Sequence, residues 1–270
     1  TNLKNNLHKI SESKSRILIT GPRGSGKKLI AQNIHKTSSR FQTFANIIDF
    51  KNLTNDELIE IFEENPSKIN QNFFINSNNN TLILNNINYL PVSFQKKILM
   101  YLENDSFFEK FNIKLNVKII AITSINIEQE IKKGNFIRNL FERLNVVSIN
   151  VPPISKRRED IIPICNYYLN LFNKNKKFNF AFSQNASIQM EIYNWLGDVR
   201  QIINYIEKTI ILNQDLNLES DYELDNLQFD MEQNEENNTN VTNFALSLKN
   251  ARQNFEKEYF LSQIKRFSGN

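Results

Sequence analysis

The sequence predicts an α/β fold built on a parallel sheet that helices cover on both faces. Short apolar runs such as RILIT, TLILNN and VKIIAITS alternate with segments of helical periodicity, which is the pattern of buried parallel strands. A glycine-rich turn, GPRGSGKK, joins the first strand to the first long helix. With 270 residues, 40% of them hydrophobic and 23% charged, the chain has the composition of a globular protein and enough length for one or two cores.

Strands and helices are predicted to alternate through the first half of the chain. In order they are the helix LKNNLHKI, the strand RILIT, the helix KKLIAQNIHKTS, the strand FANIIDF, the helix TNDELIEIFEEN, the strand TLILNN, the helix SFQKKILMYLEN and the strand VKIIAITS. Thr54 is predicted to cap the helix TNDELIEIFEEN, whose first turn is acidic.

The pattern changes at PPISKRRED, beyond which we predict only helices, in a separate small domain. An acidic stretch without Lys or Arg, from Asp215 to Glu236, predicts a mostly disordered linker. A final helix carries an apolar stripe that one isolated helix cannot bury, so it needs a partner. The predicted divisions are an α/β domain over 1–150, a helical domain over 151–212, an acidic flexible linker over 213–245 and a terminal dimerisation helix over 246–270.

Composition and charge exclude several classes of function. The formal net charge of +4 is too small to indicate nucleic-acid binding. The single cysteine, Cys165, cannot form an internal disulfide, and no run resembles a membrane span or a secretory leader. These features favour a cytoplasmic protein without membrane contact. His8 and His35 lack Cys or acidic neighbours, so we predict structural roles for both and no metal site.

The turn GPRGSGKK fits the phosphate-binding pattern Gly-x-x-x-x-Gly-Lys between a strand and a helix. Its glycines let backbone N–H groups approach phosphates, and Lys27 would reach the β- and γ-phosphates. The alternative is an ordinary glycine-rich turn. Lys28 stands where Ser or Thr usually binds magnesium, so Mg²⁺ is expected to be held only weakly. The predicted nucleotide contacts are Gly21, Pro22, Arg23, Gly24, Ser25, Gly26, Lys27, Lys28 and Leu29.

Five separated motifs together resemble the AAA+ domain of NtrC-type bacterial response regulators, which activate sigma-54-dependent transcription. In order they are GPRGSGKKLIAQNIHKTSSR, TLILNNINYLPVSFQKKILMYLE, VKIIAITS, NLFERLNVVSINVPPISKRREDIIPI and WLGDVRQIINYIE. The resemblance covers residues 1–212 and is closest to NtrX-type regulators. It implies an AAA+ P-loop NTPase with a three-layer parallel sheet, a helical lid over 151–212, and ATP or ADP as ligand. In this family the residue after the loop lysine is commonly Glu, so Lys28 is a smaller departure from the family than from the general phosphate-loop pattern.

The same resemblance identifies the final helix as similar to the start of a Fis-like DNA-binding domain. The chain stops where a helix-turn-helix would begin, and the receiver domain usual in the family is absent, so we expect a fragment of a longer regulator. The implied partners are a second copy of the chain in a dimer or higher oligomer, DNA through the missing helix-turn-helix, and a sensor histidine kinase through the missing receiver.

Several family motifs are degenerate in this chain. Active relatives end the strand equivalent to TLILNN in Asp-Glu, whereas this chain has Asn85 and Asn86, so we expect hydrolysis to be crippled unless another carboxylate takes over. Ser124 stands at the sensor position, where Asn is usual, and is either a degraded sensor or a simple strand cap. Arg143 falls on an arginine-finger position, with an ion pair to an acid such as Glu142 as the alternative. Arg200 falls on the second sensor motif, with an ordinary charge on a helix surface as the alternative. Its neighbours Trp195 and Val199 are predicted to belong to the lid core.

The family's sigma-54-contacting Gly-Ala-Phe-Thr-Gly-Ala loop is also missing, because no glycine occurs between Lys27 and Lys133. The sequence therefore predicts an ATP-binding regulatory module with little or no hydrolysis that acts without sigma-54 contact. Two alternatives stay open. One is an active ATPase that remodels RNA polymerase holoenzyme, and the other is a scaffold without nucleotide affinity.

Overall fold

The computed structural model describes residues 9–40, 43–65, 68–104, 107–176, 180–212 and 222–224. The chain divides into two compact units between Pro153 and Ile154. Each unit has its own hydrophobic core.

The first unit is built on a parallel sheet, as predicted. Within the described residues the sheet has five strands in the order β2-β3-β4-β1-β5. Their bounds are Ile17–Thr20 for β1, Asn46–Asp49 for β2, Thr81–Asn85 for β3, Lys118–Ile122 for β4 and Val147–Asn150 for β5. The first four match predicted strands, whereas β5 was not predicted.

Helices connect these strands and pack on the sheet. They are α1 (Lys27–Lys36), α2 (Asn55–Ile61), α3 (Phe73–Asn76), α4 (Val92–Glu103), α5 (Ile127–Lys132) and α6 (Arg138–Leu144), with short 3-10 turns at Ile69–Gln71, Ile87–Tyr89 and Glu109–Phe111. The predicted cap of α2 is confirmed. Thr54 Oγ1 accepts a hydrogen bond from the Glu57 backbone N–H, and the Glu57 carboxylate accepts one from the Thr54 N–H.

Both faces of the sheet are buried, which explains the continuous apolar runs in its strands. Leu18, Leu82 and Leu84 join a core cluster on one face. Ile17, Ile19 and other alternate residues join a cluster on the opposite face. Since successive side chains of a strand point to opposite sides, only a strand buried on both sides is apolar at every position.

The second unit is mainly helical, but the prediction of helices alone was incomplete. Its helices are α7 (Ile161–Lys176), α8 (Gln184–Ile192) and α9 (Asp198–Leu212), preceded by 3-10 turns at Ile154–Lys156 and Arg158–Asp160. Among the described residues a parallel pair of short strands, β6 (Phe180–Phe182) and β7 (Tyr222–Leu224), completes it. The prediction that Trp195 and Val199 pack in this core is confirmed.

Strand β7 lies inside the segment predicted to be an acidic linker. Leu224 is 4% exposed and packs in the core of the second unit, so an apolar side chain and pairing with β6 give this part of the acidic stretch a regular structure. The rest of the predicted linker from 213 onward and the predicted helix over 246–270 lie outside the described residues, as does His8. Within the residues that are described, no helix is both long and apolar enough to span a membrane.

Candidate nucleotide site

Polar residues predicted from the strand-end motifs of the first unit lie at one edge of its sheet, whereas Arg143 lies in α6, where its carbonyl oxygen accepts a hydrogen bond from Arg16, directly before β1. Because the five described strands of this sheet are parallel, their carboxyl ends lie along the same edge. The glycine-rich loop follows β1, Asp49 ends β2, Asn85 ends β3, and Thr123 and Ser124 follow β4. In open α/β sheets this edge is the usual position of a ligand site.

The loop after β1 is shaped by glycines in conformations that other residues rarely adopt. Gly21 has φ +147°, and a Cβ there would collide with the backbone carbonyl oxygen of Val151. Gly26 caps α1 with φ 90° and ψ 15°, and a Cβ placed on it would meet open space. The loop therefore opens at the N-terminus of a helix of ten residues, where backbone N–H groups and the helix dipole favour an anion.

Lys27 lies inside this loop rather than on its surface. It is 6% exposed, and its ammonium group donates hydrogen bonds to the carbonyl oxygens of Gly21 at 2.9 Å and Pro22 at 2.6 Å. Ser25 is buried in the same turn, where its N–H donates to the Pro22 carbonyl oxygen at 3.4 Å. The loop thus surrounds a positive charge with its own backbone.

The other loop residues predicted to contact nucleotide are more accessible. Arg23 is exposed and donates a hydrogen bond to the hydroxyl oxygen of Tyr89, 2.7 Å away, in the turn after β3. Lys28 and Leu29 are exposed on the first turn of α1, and Gly24 is half-buried in the turn with φ 88°. The Arg23 bond connects the phosphate loop to the segment that follows Asn85 and Asn86.

Asn85 and Asn86 both bind a carboxylate that the sequence analysis did not identify. Asn85 Nδ2 donates to Asp49 Oδ2 at 2.7 Å, and Asn86 Nδ2 donates to Asp49 Oδ1 at 2.7 Å. Asp49 Oδ1 also accepts a bond from the Lys51 backbone N–H at 3.2 Å. The two amides therefore surround an acid that belongs to the neighbouring strand, β2.

The surroundings keep Asp49 ionised. Burial raises its pKa, but hydrogen bonds from Asn86, the Lys51 backbone and Asn85, together with the charge of Lys28, lower the pKa further than burial raises it. The carboxylate is therefore anionic at neutral pH. A group so stabilised as an anion is a weak proton acceptor, because an effective general base has a pKa near the working pH.

At the end of β4 the buried hydroxyl belongs to Thr123, the residue before the predicted sensor Ser124. Thr123 is 0% exposed, and its Oγ1 donates to Asn88 Oδ1 at 3.0 Å. Ser124 is half-buried beside it. The contact that joins β4 to the turn after β3 therefore runs through Thr123, which the sequence analysis did not single out.

Arg143 lies in α6 and forms an ion pair with α4. Its Nε lies 3.4 Å from Glu103 Oε1, and both side chains are about half exposed at 51% and 41%. The partner is thus Glu103 and not Glu142, the acid named as an alternative partner. Arg138 is exposed at the first position of α6, and the N–H of Ile137 donates to Gln95 Oε1 at 2.9 Å.

Arg200 belongs to the second unit, where it is exposed on α9. It lines a cavity of about 340 Å³ together with Tyr193, Trp195, Tyr205 and Lys208. The cavity combines aromatic walls with two cationic side chains of the same helix.

The remaining candidate residues have structural surroundings. His35 is 4% exposed, and its Nε2 lies 2.7 Å from the backbone oxygen of Thr43. Burial raises the pKa of the Cys165 thiol to about 12, so this cysteine is an unreactive core residue. Within the described ranges, no three His, Cys, Asp or Glu side chains come together to hold a metal ion.

Two family models match the chain. A sigma-54 interaction domain model matches residues 1–150, and an AAA+ ATPase lid domain model matches residues 155–243. The second match includes the stretch that contains β7.

The chain is also similar to curated proteins and solved structures. It is 32% identical to an NtrX-like response regulator of Rickettsia felis, over 99% of this chain and 59% of that protein. It is 30% identical to the nitrogen assimilation regulatory protein NtrX of Azorhizobium caulinodans, over 99% of this chain and 62% of that protein. The chain thus spans about three-fifths of the length of these relatives.

Among solved structures, the chain is similar to NtrX from Brucella abortus. The crystal structure in complex with ATP is 29% identical, with a TM-score of 0.72 over 100% of this chain and 61% of that one. The structure in complex with ADP is 28% identical, with a TM-score of 0.73 over 100% of this chain and 62% of that one.

Proposed function

Because the chain belongs to the sigma-54 interaction domain family of AAA+ proteins, we propose that it is the ATP-binding regulatory module of an NtrX-like response regulator. It binds ATP or ADP with little or no hydrolysis and acts without contacting sigma-54. The observation that carries this proposal is the glycine loop at the N-terminus of α1, which surrounds the buried ammonium group of Lys27.

The geometry of this loop supports phosphate binding. Gly26 leaves the N-terminus of the helix accessible, and Lys27 adds a fixed positive charge. The β- and γ-phosphates of a nucleotide would therefore accept hydrogen bonds from backbone N–H groups and from one ammonium group. The ATP and ADP complexes of the similar Brucella abortus protein support the same ligands for this chain. We propose that Arg200, which belongs to the lid, is the residue of the second unit that responds to bound nucleotide.

Weak hydrolysis follows from the ends of β2 and β3. Asn85 and Asn86 are neutral, and their amide groups donate to Asp49. Asp49 is the acid at this position, but both of its oxygens accept hydrogen bonds and its pKa is lowered. The site therefore has a poor base for the attacking water, and loss of such a group typically slows an enzyme by orders of magnitude.

Independence from sigma-54 is supported by the segment between α2 and β3. The motif Gly-Ala-Phe-Thr-Gly-Ala is absent from it. Its described residues Ile69, Phe73 and Phe74 are instead 7% exposed or less, and Phe73 and Phe74 pack in the core beneath the sheet. Because these large apolar side chains are buried in their own domain, they are not exposed to a protein partner.

The regulatory output belongs to a longer assembly, and we propose it from the relatives. Nucleotide would alter the packing of two or more copies of the chain, and thereby the spacing of DNA-binding domains in a two-component pathway. Arg143 would act at the neighbouring copy's nucleotide if its pair with Glu103 opens. A sensor histidine kinase, DNA and the reducing cytoplasm are part of this proposal.

The second candidate is an active ATPase that remodels RNA polymerase holoenzyme, and Asp49 is the observation that favours it. A carboxylate at the edge of the sheet could take over part of the role lost at Asn85 and Asn86. Turnover on the order of one ATP per second or faster, as typical enzymes show, would support this second candidate.

A titration with a fluorescent ATP analogue tests the nucleotide-binding proposal. Lys27→Ala should weaken binding at least about tenfold, because charge-assisted hydrogen bonds to phosphate are lost. Lys36→Ala is the matched control, since Lys36 is exposed in the last turn of the same helix. Wild-type protein that binds the analogue as weakly as Lys27→Ala would contradict nucleotide binding by this loop and favour the scaffold alternative.

A further inference from the structure

The proposed nucleotide site carries positive charge where other P-loop sites carry metal ligands. Its loop contains Arg23, Lys27 and Lys28 and no acidic residue. P-loop proteins hold Mg²⁺ with a hydroxyl directly after the loop lysine and a carboxylate at a strand end. Here the first position is the cationic Lys28 and the second is the neutral Asn85.

Among the described residues at the carboxyl ends of the five strands, Asp49 is the one carboxylate, and it is already hydrogen-bonded. Asp49 accepts bonds from Asn85 and Asn86, each at 2.7 Å, and from the Lys51 backbone N–H at 3.2 Å. Mg²⁺ requires near-ideal octahedral oxygen ligands and gives up its water reluctantly. A metal ion would have to compete for Asp49 with three donors and with the positive charge of Lys28, so the residues present do not fit it.

Lys28 stands at the loop position where other P-loop proteins have a metal-binding hydroxyl, and it carries a positive charge there. It lies on the exposed first turn of α1, directly after the loop. Its positive charge is one of the causes that lower the pKa of Asp49 at the end of β2. A lysine ammonium group is a compact point charge with three rotatable donors, which suits a phosphate.

Resting on the proposed nucleotide binding, we infer that this site binds ATP without Mg²⁺ and that Lys28 supplies the positive charge that the metal supplies in other P-loop proteins. Asp49 then serves to orient Asn85 and Asn86 and to balance the charge of Lys28, rather than to bind a cation. The ligand of this chain is accordingly metal-free nucleotide.

Binding of the fluorescent ATP analogue, measured in excess Mg²⁺ and again in EDTA, tests this inference. The wild-type dissociation constant should be the same in the two buffers within about threefold, because no metal ligand is lost. Lys28→Gln should weaken binding in EDTA about tenfold, because one charged phosphate contact disappears. Lys28 is exposed, so this variant is expected to fold normally. Lys36→Gln, on the same helix, should match the wild type.

Two results would overturn the inference. One is a wild-type affinity that falls about tenfold or more when EDTA replaces Mg²⁺. The other is Lys28→Gln protein that binds in EDTA as tightly as the wild type. Wild-type protein that binds in neither buffer would contradict the proposed function itself, which is a separate result from a dependence on metal.

Discussion

Lys118, the first residue of β4, has a buried side chain that contacts the segment preceding β1. It is 1% exposed, and its ammonium group donates to the backbone oxygens of Ile10 at 2.7 Å and Ser13 at 2.8 Å, as well as to Ser11. Burial, with a smaller contribution from the charge of Arg40, lowers the Lys118 pKa to about 8. One polar side chain thus satisfies three carbonyl groups near the start of the described chain.

Replacing Lys118 tests the importance of these bonds. We expect Lys118→Met to reduce the free energy of unfolding by about 2–4 kcal/mol, because buried carbonyl groups lose their donors. Urea unfolding at pH 7 measures the effect. Lys96→Met is the control, since Lys96 is exposed on α4, and it should change stability by no more than about 0.5 kcal/mol. Equal stability of the two variants would show that the buried ammonium group contributes little.

At the scale of elements, the pairing of β2 with β3 creates the polar cluster of the site. The register sets Asp49 directly beside Asn85, and Asn86 follows with φ 56°, a left-handed conformation that asparagine tolerates. The two strands therefore end in one hydrogen-bonded group of an acid and two amides. In this chain the carboxylate of the group belongs to β2, whereas active members of the family have carboxylates on the strand equivalent to β3.

A reciprocal exchange of Asp49 and Asn85 tests this pairing. Asn85→Asp places two carboxylates at hydrogen-bonding distance and should lower the free energy of unfolding by about 1–3 kcal/mol at pH 8. Adding Asp49→Asn restores a donor and an acceptor of the same shape, so the double variant should recover most of this loss, with a coupling energy of at least about 1 kcal/mol. Urea unfolding of the wild type, both single variants and the double variant measures it. Additive single effects would mean that the two side chains do not interact.

What could be predicted from the sequence depended on whether the signal was local. The runs RILIT, TLILNN and VKIIAITS predicted strands because both faces of the sheet are buried. The strand β5 was missed because only Ile149 among its residues is buried, and the three-residue β6 and β7 are too short to show a period. The phosphate loop was predictable as one continuous motif. Asp49 was not, because its contacts depend on the register between strands that lie far apart in sequence.

At the scale of the whole molecule, the two units carry different parts of the proposed machinery. The first unit holds the phosphate loop and the cluster at Asp49, whereas the second holds Arg200 on α9. The chain covers about three-fifths of its NtrX-like relatives, so signal input and DNA binding would be functions of the longer proteins. For this part we propose a nucleotide-dependent change in packing that needs no turnover.

The chemical state of the nucleotide retained by the protein tests this account most directly. Protein in excess over ATP, with Mg²⁺ present and at a concentration that favours self-association, is incubated for about an hour, many turnover times for a typical enzyme. The bound nucleotide is then extracted and separated. The account predicts that the protein retains nucleotide and that this nucleotide is intact ATP. Recovery of ADP and phosphate in its place would contradict binding without hydrolysis, and a protein fraction without nucleotide would contradict binding itself.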